Sequence, residues 1–467
     1  MPPTGTGPPR GEGFAASARS EPMKVIGPKE MPADTERTTL RMDRRTLSIL
    51  SILSLSTGLG ACAKSGDAKP AAMEKVELSI AWWGGPERAD RTNKALDLYT
   101  QRHPNVTFKK QFPIWKDYYP KLEAMIAGGD TLDLFQDDDN VLTEYTSRDI
   151  VLDLSRYVAS HTIDERRFPE SLAACANVNG KPYGVPSAEN TPAMVYDRAL
   201  ARQYGMPEPQ IGWSYDQLIT WATEISSKSG GTVAGTMDAG ASHQAMWMWL
   251  RTQGKEMYNG KRIGFTAADL QRWFEIWVNA RRAKCTPPMD IIHVADSGDV
   301  TKQPLLTKQA ATAFAWSNQL VELQKGTDHE LGITAYPGDP KGQWARASMF
   351  WSIYKGSKHP DVAADVINFL VNDPEAGKLL GTERGLPSNL DVRAQITPSL
   401  PAVMQATVKF ENDMVARFGP APVPPPKGHS EFKTLLTQAT EDVMYGRATP
   451  QQAAAQFVTQ APQALSG

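Results

Sequence analysis

Hydrophobic residues in the first folded segment alternate between strand-like and helix-like spacing. From residue 76 to residue 82 every second position is apolar, which predicts a strand, and Gly84-Gly85-Pro86 ends it. Two further strands are predicted at 106–108 and 132–136, and helically spaced apolar residues separate the three strands. This order predicts a parallel sheet with helices packed on its faces. Because ligands bind at the carboxyl ends of strands in such sheets, the residues after each strand become binding-site candidates.

The remainder of the chain has a mostly helical pattern from about residue 197 onward. One stripe of apolar residues, Leu270, Trp273, Phe274 and Trp277, predicts a helix whose aromatic face lies in the core. The other predicted elements are a turn at 180–186 leading into a crossing segment, a strand at 310–316, a second crossing segment at 333–337, a returning strand at 348–354, helices at 361–370 and from 373, and a proline-rich linker at 420–426 before a terminal helix pair.

Length and composition limit the classes of protein to consider. A chain of 467 residues exceeds one ordinary core, which predicts two lobes of roughly 150–200 residues each. Hydrophobic residues make up 41% and charged residues 22%, the balance of a globular protein. The formal charge of −2 offers no basic footprint, so nucleic acid is not an expected partner.

The first 75 residues have the pattern of an export signal. Residues 1–41 are polar, rich in Pro and Gly and without apolar periodicity, so we expect a mis-assigned extension and a true start at Met42. The uncharged run 47–61 is too short to anchor in a bilayer but suits a signal peptide. It ends in Leu-Gly-Ala-Cys, which resembles the lipobox of bacterial lipoproteins and makes Cys62 the expected lipidation site. Residues 1–61 are then extension and signal peptide, and 62–74 a flexible tether.

Two details of this export reading stay open. Arg44-Arg45 also resembles a twin-arginine signal, so either export route fits. With Cys62 acylated, Cys175 and Cys285 remain, and they are either one disulfide or two buried free thiols.

Most familiar catalytic and metal-binding motifs are absent from the sequence. It contains no HExxH, P-loop or GxSxG motif, and no Cys/His cluster with metal spacing, so we expect no cofactor and no metal. Asp137-Asp138-Asp139 is the densest acidic segment. Calcium is one reading of it, but a solvated loop or an acceptor for sugar hydroxyl groups fits better.

Aromatic and polar residues recur at the predicted strand ends and crossings. Sugars are bound by aromatic rings stacked on the pyranose and by carboxylates, amides and arginines that hydrogen-bond its hydroxyl groups. Trp82 fits a core position equally well. The candidate ligand-binding residues are Trp83, Arg88, Trp115, Gln136, Asp137, Glu189, Asn190, Trp247, Trp316, Trp351 and Arg384.

Five segments in order resemble one protein family. They are WGGPERADRTNKALDLYTQRHPNV from residue 83, GKPYGVPSAENTPAMVYD from 180, AATAFAWSN from 310, SKHPDVAADVINFLVNDPEAGKLLG from 357 and RGLPSN from 384. Over residues 75–446 the chain resembles the extracellular sugar-binding proteins of bacterial ABC importers, the group that includes maltose-binding proteins. The resemblance implies an α/β fold of two lobes, periplasmic-binding-protein-like, with a hinge and an interlobe ligand cleft. The lobes would be 75–187 plus 336–388, and 188–335 plus 389–467.

The resemblance also implies roles for individual residues. Trp83 and Arg88 match the loop after the first strand, and Trp316 matches an aromatic at a strand end of the second lobe. Trp351 departs from the family pattern, which has glycines nearby. Of Trp247 and Trp249, one is expected to face the cleft and the other the core. Arg384 either reaches the ligand or braces the turn that follows it.

These observations predict a monomeric receptor rather than an enzyme. It would capture a mono- or oligosaccharide outside the cytoplasm, held to the outer face of the membrane only by its lipid, and deliver it to ABC importer permease subunits. The alternatives are a receptor for a polyol or sugar phosphate and a secreted glycoside-processing enzyme, which would need two carboxylates about 5–10 Å apart in the cleft.

Overall fold

The computed structural model describes residues 74–128, 132–295 and 300–465. The predicted signal peptide, the predicted lipidation site Cys62 and nearly all of the predicted tether lie outside these ranges. Within them, no helix has the length and apolar character needed to cross a membrane.

Helices dominate the part of the chain that the structure describes. They are α1 Pro86–Arg102, α2 Trp115–Gly128, α3 Asp139–Ser147, α4 Ser155–Ala159, α5 Glu170–Ala173, α6 Arg198–Gln203, α7 Tyr215–Lys228, α8 His243–Thr252, α9 Ala267–Arg282, α10 Met289–Ala295, α11 Leu320–Lys325, α12 Pro360–Asn372, α13 Pro374–Leu380, α14 Leu390–Ile396, α15 Ala402–Val415, α16 His429–Met444 and α17 Pro450–Ala464.

The strands form two main sheets and two short hairpins. They are β1 Val76–Ala81, β2 Val106–Gln111, β3 Leu134–Asp137, β4 Asn177–Val178, β5 Lys181–Pro182, β6 Val185–Glu189, β7 Pro192–Asp197, β8 Tyr258–Asn259, β9 Arg262–Ile263, β10 Thr312–Trp316, β11 Leu331–Thr334, β12 Ala347–Ile353 and β13 Leu386–Pro387.

The first sheet has the strand order β13-β6-β12-β3-β1-β2. Strand β1 runs parallel to β2 and β3, as the strand–helix alternation predicts. Strand β12 is antiparallel to both β3 and β6, so the sheet is mixed rather than fully parallel. The carboxyl ends of β1, β2 and β3 share one edge, and the loops after them begin at residues 82, 112 and 138.

The second sheet is antiparallel, with β7 between β10 and β11. Helix α9 packs beside it, and its predicted stripe of Leu270, Trp273, Phe274 and Trp277 is buried, which confirms the core assignment. Trp82 is also fully buried, in the core of the first sheet, which confirms a core position for it and not one in a binding site.

Within the described ranges the chain passes between the two sheets at three places. Strand β6 of the first sheet leads through residues 190–191 into β7 of the second. Residues 335–346 return from β11 to β12, and after β13 the chain reaches α15, which packs against β11. The crossing segment predicted after the turn at 180–186 therefore coincides with the first passage, and the one predicted at 333–337 overlaps the start of the second.

Cys175 and Cys285 are free thiols in the structure, which decides against the disulfide reading. The Cys175 thiol donates to the carbonyl oxygen of Ala345 at 3.1 Å, and the Cys285 thiol to that of Ala280 at 3.2 Å. Each thiol group therefore has its own backbone hydrogen-bond acceptor in the core. Burial raises the pKa of Cys175 to about 12 and also raises that of Cys285, so neither is a ready nucleophile.

A thiol titration without reductant checks that Cys175 and Cys285 are free thiols. In the body beginning at residue 63, we expect almost no reaction with a thiol reagent at pH 8 in the native state, because both sulfurs are buried and protonated. After unfolding in guanidinium chloride, both thiols should react. A denatured, unreduced sample that yields no free thiol would show that a disulfide forms after all.

Candidate functional site

A cavity of about 340 Å³ opens beside the second sheet. The carboxyl end of β10 brings Trp316 to its wall, and the start of α8 brings Ser242, His243 and Gln244. Ser242 caps this helix by accepting a hydrogen bond from the backbone N–H of Ala245, which fixes the turn. Aliphatic residues make up much of the remaining wall, and its aromatic and polar members include Phe314, Gln303, Gln319 and Tyr336. The cavity combines a half-buried indole with several groups that can donate and accept hydrogen bonds.

A second cavity of about 140 Å³ lies between elements of both sheets. His243 and Gln244 border both cavities, which are therefore adjacent. Asp139, at the start of α3 after β3, and Ala347 and Phe350 of β12 line the side of the first sheet. Helices α8 and α16 line the other side. The proline-rich linker closes one side with residues 422–425. The polar and aromatic lining is Asp139, Asn140, Cys175, His243, Gln244, Trp247, Trp344, Arg346, Phe350, His429 and Lys433.

Arg346 connects the two cavities electrostatically. Its Nε and Nη2 atoms donate to the two carboxylate oxygens of Asp139 at 2.9 and 2.6 Å, a bidentate pair. Its guanidinium also lies 4.7 Å from the ring centroid of Trp316. Although burial opposes its charge, Asp139 raises the pKa of Arg346, which stays cationic. Arg346 borders the smaller cavity and Trp316 the larger, so one face of the indole is backed by a cation.

Two histidines in the smaller cavity are neutral at pH 7. Burial lowers the pKa of His243 well below its usual value and brings that of His429 to about 4. The Tyr258 hydroxyl lies 2.6 Å from Nδ1 of His429. Neutral imidazoles both donate and accept hydrogen bonds, which suits a hydroxyl-rich ligand.

Of the residues expected from the sequence, Trp316 and Trp247 border the two cavities. The Trp247 indole lies 5.2 Å from that of Trp344, and its Nε1 donates to Glu256 at 2.8 Å. Trp249 belongs to the core around Trp273, 5.5 Å away. Both indoles belong to one hydrophobic core cluster, and Trp247 is the one that borders the smaller cavity, so its contact with a ligand stays a prediction.

Trp83 and Trp115 lie together at the ends of β1 and β2, outside the two cavities. Their ring centroids are 4.9 Å apart, and Trp115 is 52% exposed although it is a large aromatic. Arg88 lies nearby but is held by Glu383 at 3.1 Å and by the carbonyl oxygen of Trp83 at 3.2 Å. Trp115 is therefore the part of this group that is open to a ligand, and Arg88 is committed to the fold.

Gln136, Asp137, Trp351 and Arg384 lie in the interior of the first sheet, away from both cavities. Arg384 donates from Nε to Gln136 Oε1 at 2.9 Å and stacks 5.2 Å from the ring of Trp351. Asp137 accepts from Ser352 Oγ at 3.1 Å, and burial raises its pKa. All four residues of β3 are buried, so its side chains are covered on both faces of the sheet. In the structure these four side chains bond and pack within the first sheet and border neither cavity, so their assignment as ligand contacts stays a prediction.

Glu189 and Asn190 lie at the first passage between the sheets. Glu189 is fully buried and accepts from Arg393 Nη2 at 2.7 Å and from Thr191 Oγ1 at 2.9 Å. The backbone N–H of Asn190 donates to the carbonyl oxygen of Arg346 at 3.0 Å, while its Oδ1 is buried without a partner among the described residues. Both residues join the crossing segments to one another rather than lining a cavity.

The acidic run 137–139 is divided among three roles. Asp137 bonds Ser352, Asp138 caps α3 by accepting from the N–H of Asn140 at 3.0 Å, and Asp139 pairs with Arg346. No group of three metal-ligating side chains occurs in the ranges that the structure describes. Each carboxylate of the run thus has a hydrogen-bond partner within the fold.

Most residues of the cavity walls are not among the candidates from the sequence, including His243, Gln244, Arg346 and Lys433, whereas Asp139 was considered only as part of the acidic run. A signal existed for two kinds of position. Asp139 belongs to the acidic run after a predicted strand, and Ser242 is a helix cap that marks the start of α8. Arg346 and Lys433 carry no such signal, because their place depends on how distant elements pack.

Comparison with known proteins agrees with this architecture. Residues 94–412 match the family described as bacterial extracellular solute-binding protein. An extracellular solute-binding protein of family 1 from Alicyclobacillus acidocaldarius superposes with a TM-score of 0.73 at 28% identity, over 84% of this chain and 99% of that one.

Two relatives have named ligands. A periplasmic oligogalacturonide-binding protein from Yersinia enterocolitica has a TM-score of 0.73 at 22% identity, over 84% and 99% of the two chains. A lactose-binding protein from Rhizobium radiobacter is 24% identical over 67% of this chain and 75% of its own. Because the family match covers more than half of the chain, the protein belongs to the bacterial extracellular solute-binding proteins.

Proposed function

We propose that the protein captures a carbohydrate between its two sheets, outside the cytoplasm, and delivers it to the permease of an ABC importer. The observation that carries this proposal is the pair of adjacent cavities bordered by Trp316, Trp247 and Trp344. Aromatic rings beside hydrogen-bonding side chains are the two devices by which proteins hold sugars. The relatives named for lactose and oligogalacturonide support the same class of ligand.

The proposed lobes follow the two sheets, with boundaries at 187/188, 335/336 and 388/389. Each boundary falls at or near one of the three passages. The smaller cavity takes residues from both proposed lobes, with Asp139 and Phe350 from one and His429 and Lys433 from the other. A ligand there contacts both lobes at once, and those contacts favour the closed form over the open one.

Two features at the edge of the first sheet belong to the same proposal. Trp115 is exposed at the carboxyl end of β2, on the edge where Asp139 follows β3. An indole in that position offers a stacking surface to a sugar that extends beyond the cavities. Lipidation at Cys62 would keep such a receptor at the outer face of the membrane, beside its permease.

The alternative, a glycoside-processing enzyme, needs two available carboxyl groups in the cavities. Among the described lining residues, Asp238 is the acid of the larger cavity and Asp139 that of the smaller. Asp238 is paired with Arg281 and Asp139 with Arg346, so neither is placed as a free acid or nucleophile. A polyol or sugar-phosphate receptor remains compatible with the walls.

A sugar panel against the body beginning at residue 63 tests the proposal. We expect one class of mono- or oligosaccharide to raise the melting temperature with a concentration dependence and to change tryptophan fluorescence, because three indoles border the cavities. Polyols and sugar phosphates are run in parallel. A saturable response only to non-sugars would replace the carbohydrate, and release of smaller sugars on incubation would establish the enzyme instead.

A further inference from the structure

Lys433 is the charge in the smaller cavity that the protein leaves unmatched. It lies on α16 and borders the cavity together with Arg346, Asp139 and the two histidines. Asp139 is taken up by its bidentate bond to Arg346, and both histidines are neutral at pH 7. Lys433 has no hydrogen bond or ion pair with any residue that the structure describes; Asp138 and Asp139 act on it only through longer-range attraction.

The charge balance of the cavity wall follows from these contacts. One carboxylate faces two cations, so the wall carries one net positive charge. Half-burying an ammonium without a counter-ion costs free energy, and here burial lowers the pKa of Lys433. A ligand that brings an anionic group recovers that cost and gains a charge-assisted hydrogen bond, whereas a neutral sugar hydroxyl gains much less.

We propose that the ligand is an anionic sugar whose carboxylate or phosphate group binds Lys433 in the smaller cavity. This inference rests on the proposed function and specifies its substrate class. The sugar ring then lies against Trp247 and Trp344, whose indoles border the same cavity 5.2 Å apart. The rest of a longer ligand continues past His243 and Gln244 into the larger cavity at Trp316.

Matched pairs of sugars test the proposal on the body beginning at residue 63. Galacturonate is compared with galactose, trigalacturonate with its methyl ester, and glucose 6-phosphate with glucose, by calorimetric titration. At least one anionic member should bind ten times or more tightly than its neutral counterpart, and its affinity should fall on raising the salt concentration. Comparing the uronates with the sugar phosphate shows whether the anionic group is a carboxylate or a phosphate.

The variant Lys433→Met removes the ammonium but keeps the apolar stem. It should reduce the affinity for the anionic sugar at least tenfold and abolish the preference over the neutral partner. Lys427→Met is the matched control, because Lys427 is exposed and does not border the cavity. Melting curves without ligand establish that both variants fold.

Three outcomes would count against the proposal in different ways. Equal binding of neutral and anionic members would overturn it and leave the carbohydrate receptor standing. An anionic preference that persists in Lys433→Met would assign the anion to another group and overturn the role of Lys433. If no sugar of either kind binds, the proposed function fails, and this inference fails with it.

Discussion

Replacing Arg393 by Met is expected to destabilise the protein by about 3–5 kcal/mol, the usual cost of removing one partner from a buried charge network. Arg393 is 1% exposed and donates to Glu189 Oε2 at 2.7 Å and to the carbonyl oxygen of Pro387 at 2.9 Å. Its Nη1 lies 3.8 Å from Glu411 Oε2. Without the guanidinium, two fully buried carboxyl groups face each other with no cation between them. The free energy of unfolding in urea measures the loss.

The same cluster predicts how the loss depends on pH. Burial, and then the charge of Glu189, already raise the pKa of Glu411 well above its usual value. In Arg393→Met we expect the folded-state pKa of Glu411 to rise further above its unfolded value, because the cation that lowers it is gone. The folded form then binds more protons than the unfolded form, so the variant gains stability as the pH falls from 8 to 5. Equal losses at pH 5 and pH 8 would contradict this.

Two further variants distinguish the loss of the buried charge network from the effect that any Arg→Met substitution has on stability. Adding Glu189→Gln to Arg393→Met should restore part of the stability, because it removes one uncompensated carboxylate. Arg167→Met breaks the exposed pair with Asp391 and should change stability far less. A single-variant loss below about 1.5 kcal/mol would show that the three passages do not depend on this cluster.

The parts of this fold that could be predicted from the sequence are those determined by local pattern. Strands β1 to β3 follow from alternation and glycine breaks, and the stripe on α9 follows from helical spacing. Asp373-Pro374 starts α13 because Asp373 accepts hydrogen bonds from the N–H groups of Glu375 and Ala376. Each of these features is encoded within a few neighbouring residues.

The parts that could not be predicted depend on pairing between distant segments. Nothing near Gln136 or Arg384 indicates that they bond each other across 248 positions of sequence, so polar residues after a strand looked like ligand contacts. Similarly, Arg346 and Lys433 are ordinary cations until β12 and α16 place them in one cavity wall. An aromatic residue at the end of a predicted strand indicates a cavity wall better than a polar residue does, because Trp316 borders the larger cavity. Trp351, within a strand, lies in the hydrophobic core instead.

Trp316→Ala is the second change with a large expected effect, and it acts on binding rather than on folding. The indole is half-buried at the wall of the larger cavity, backed by Arg346 and outside the hydrophobic core clusters of the described residues. A central aromatic contact of this kind is worth about 2–3 kcal/mol, so the affinity for the best sugar of the panel should fall roughly 30- to 150-fold. Calorimetric titration measures it.

The ring, rather than the volume alone, is expected to carry that effect. Trp316→Phe keeps an aromatic face for the pyranose and for the guanidinium of Arg346, so its affinity should fall much less than that of Trp316→Ala. The melting temperature without ligand should stay close to that of the parent in both variants, in contrast to Arg393→Met. If Ala and Phe weaken binding equally, stacking is not the source of the affinity. If neither does, the ligand lies elsewhere, and the exposed Trp115 at the edge of the first sheet becomes the next residue to replace.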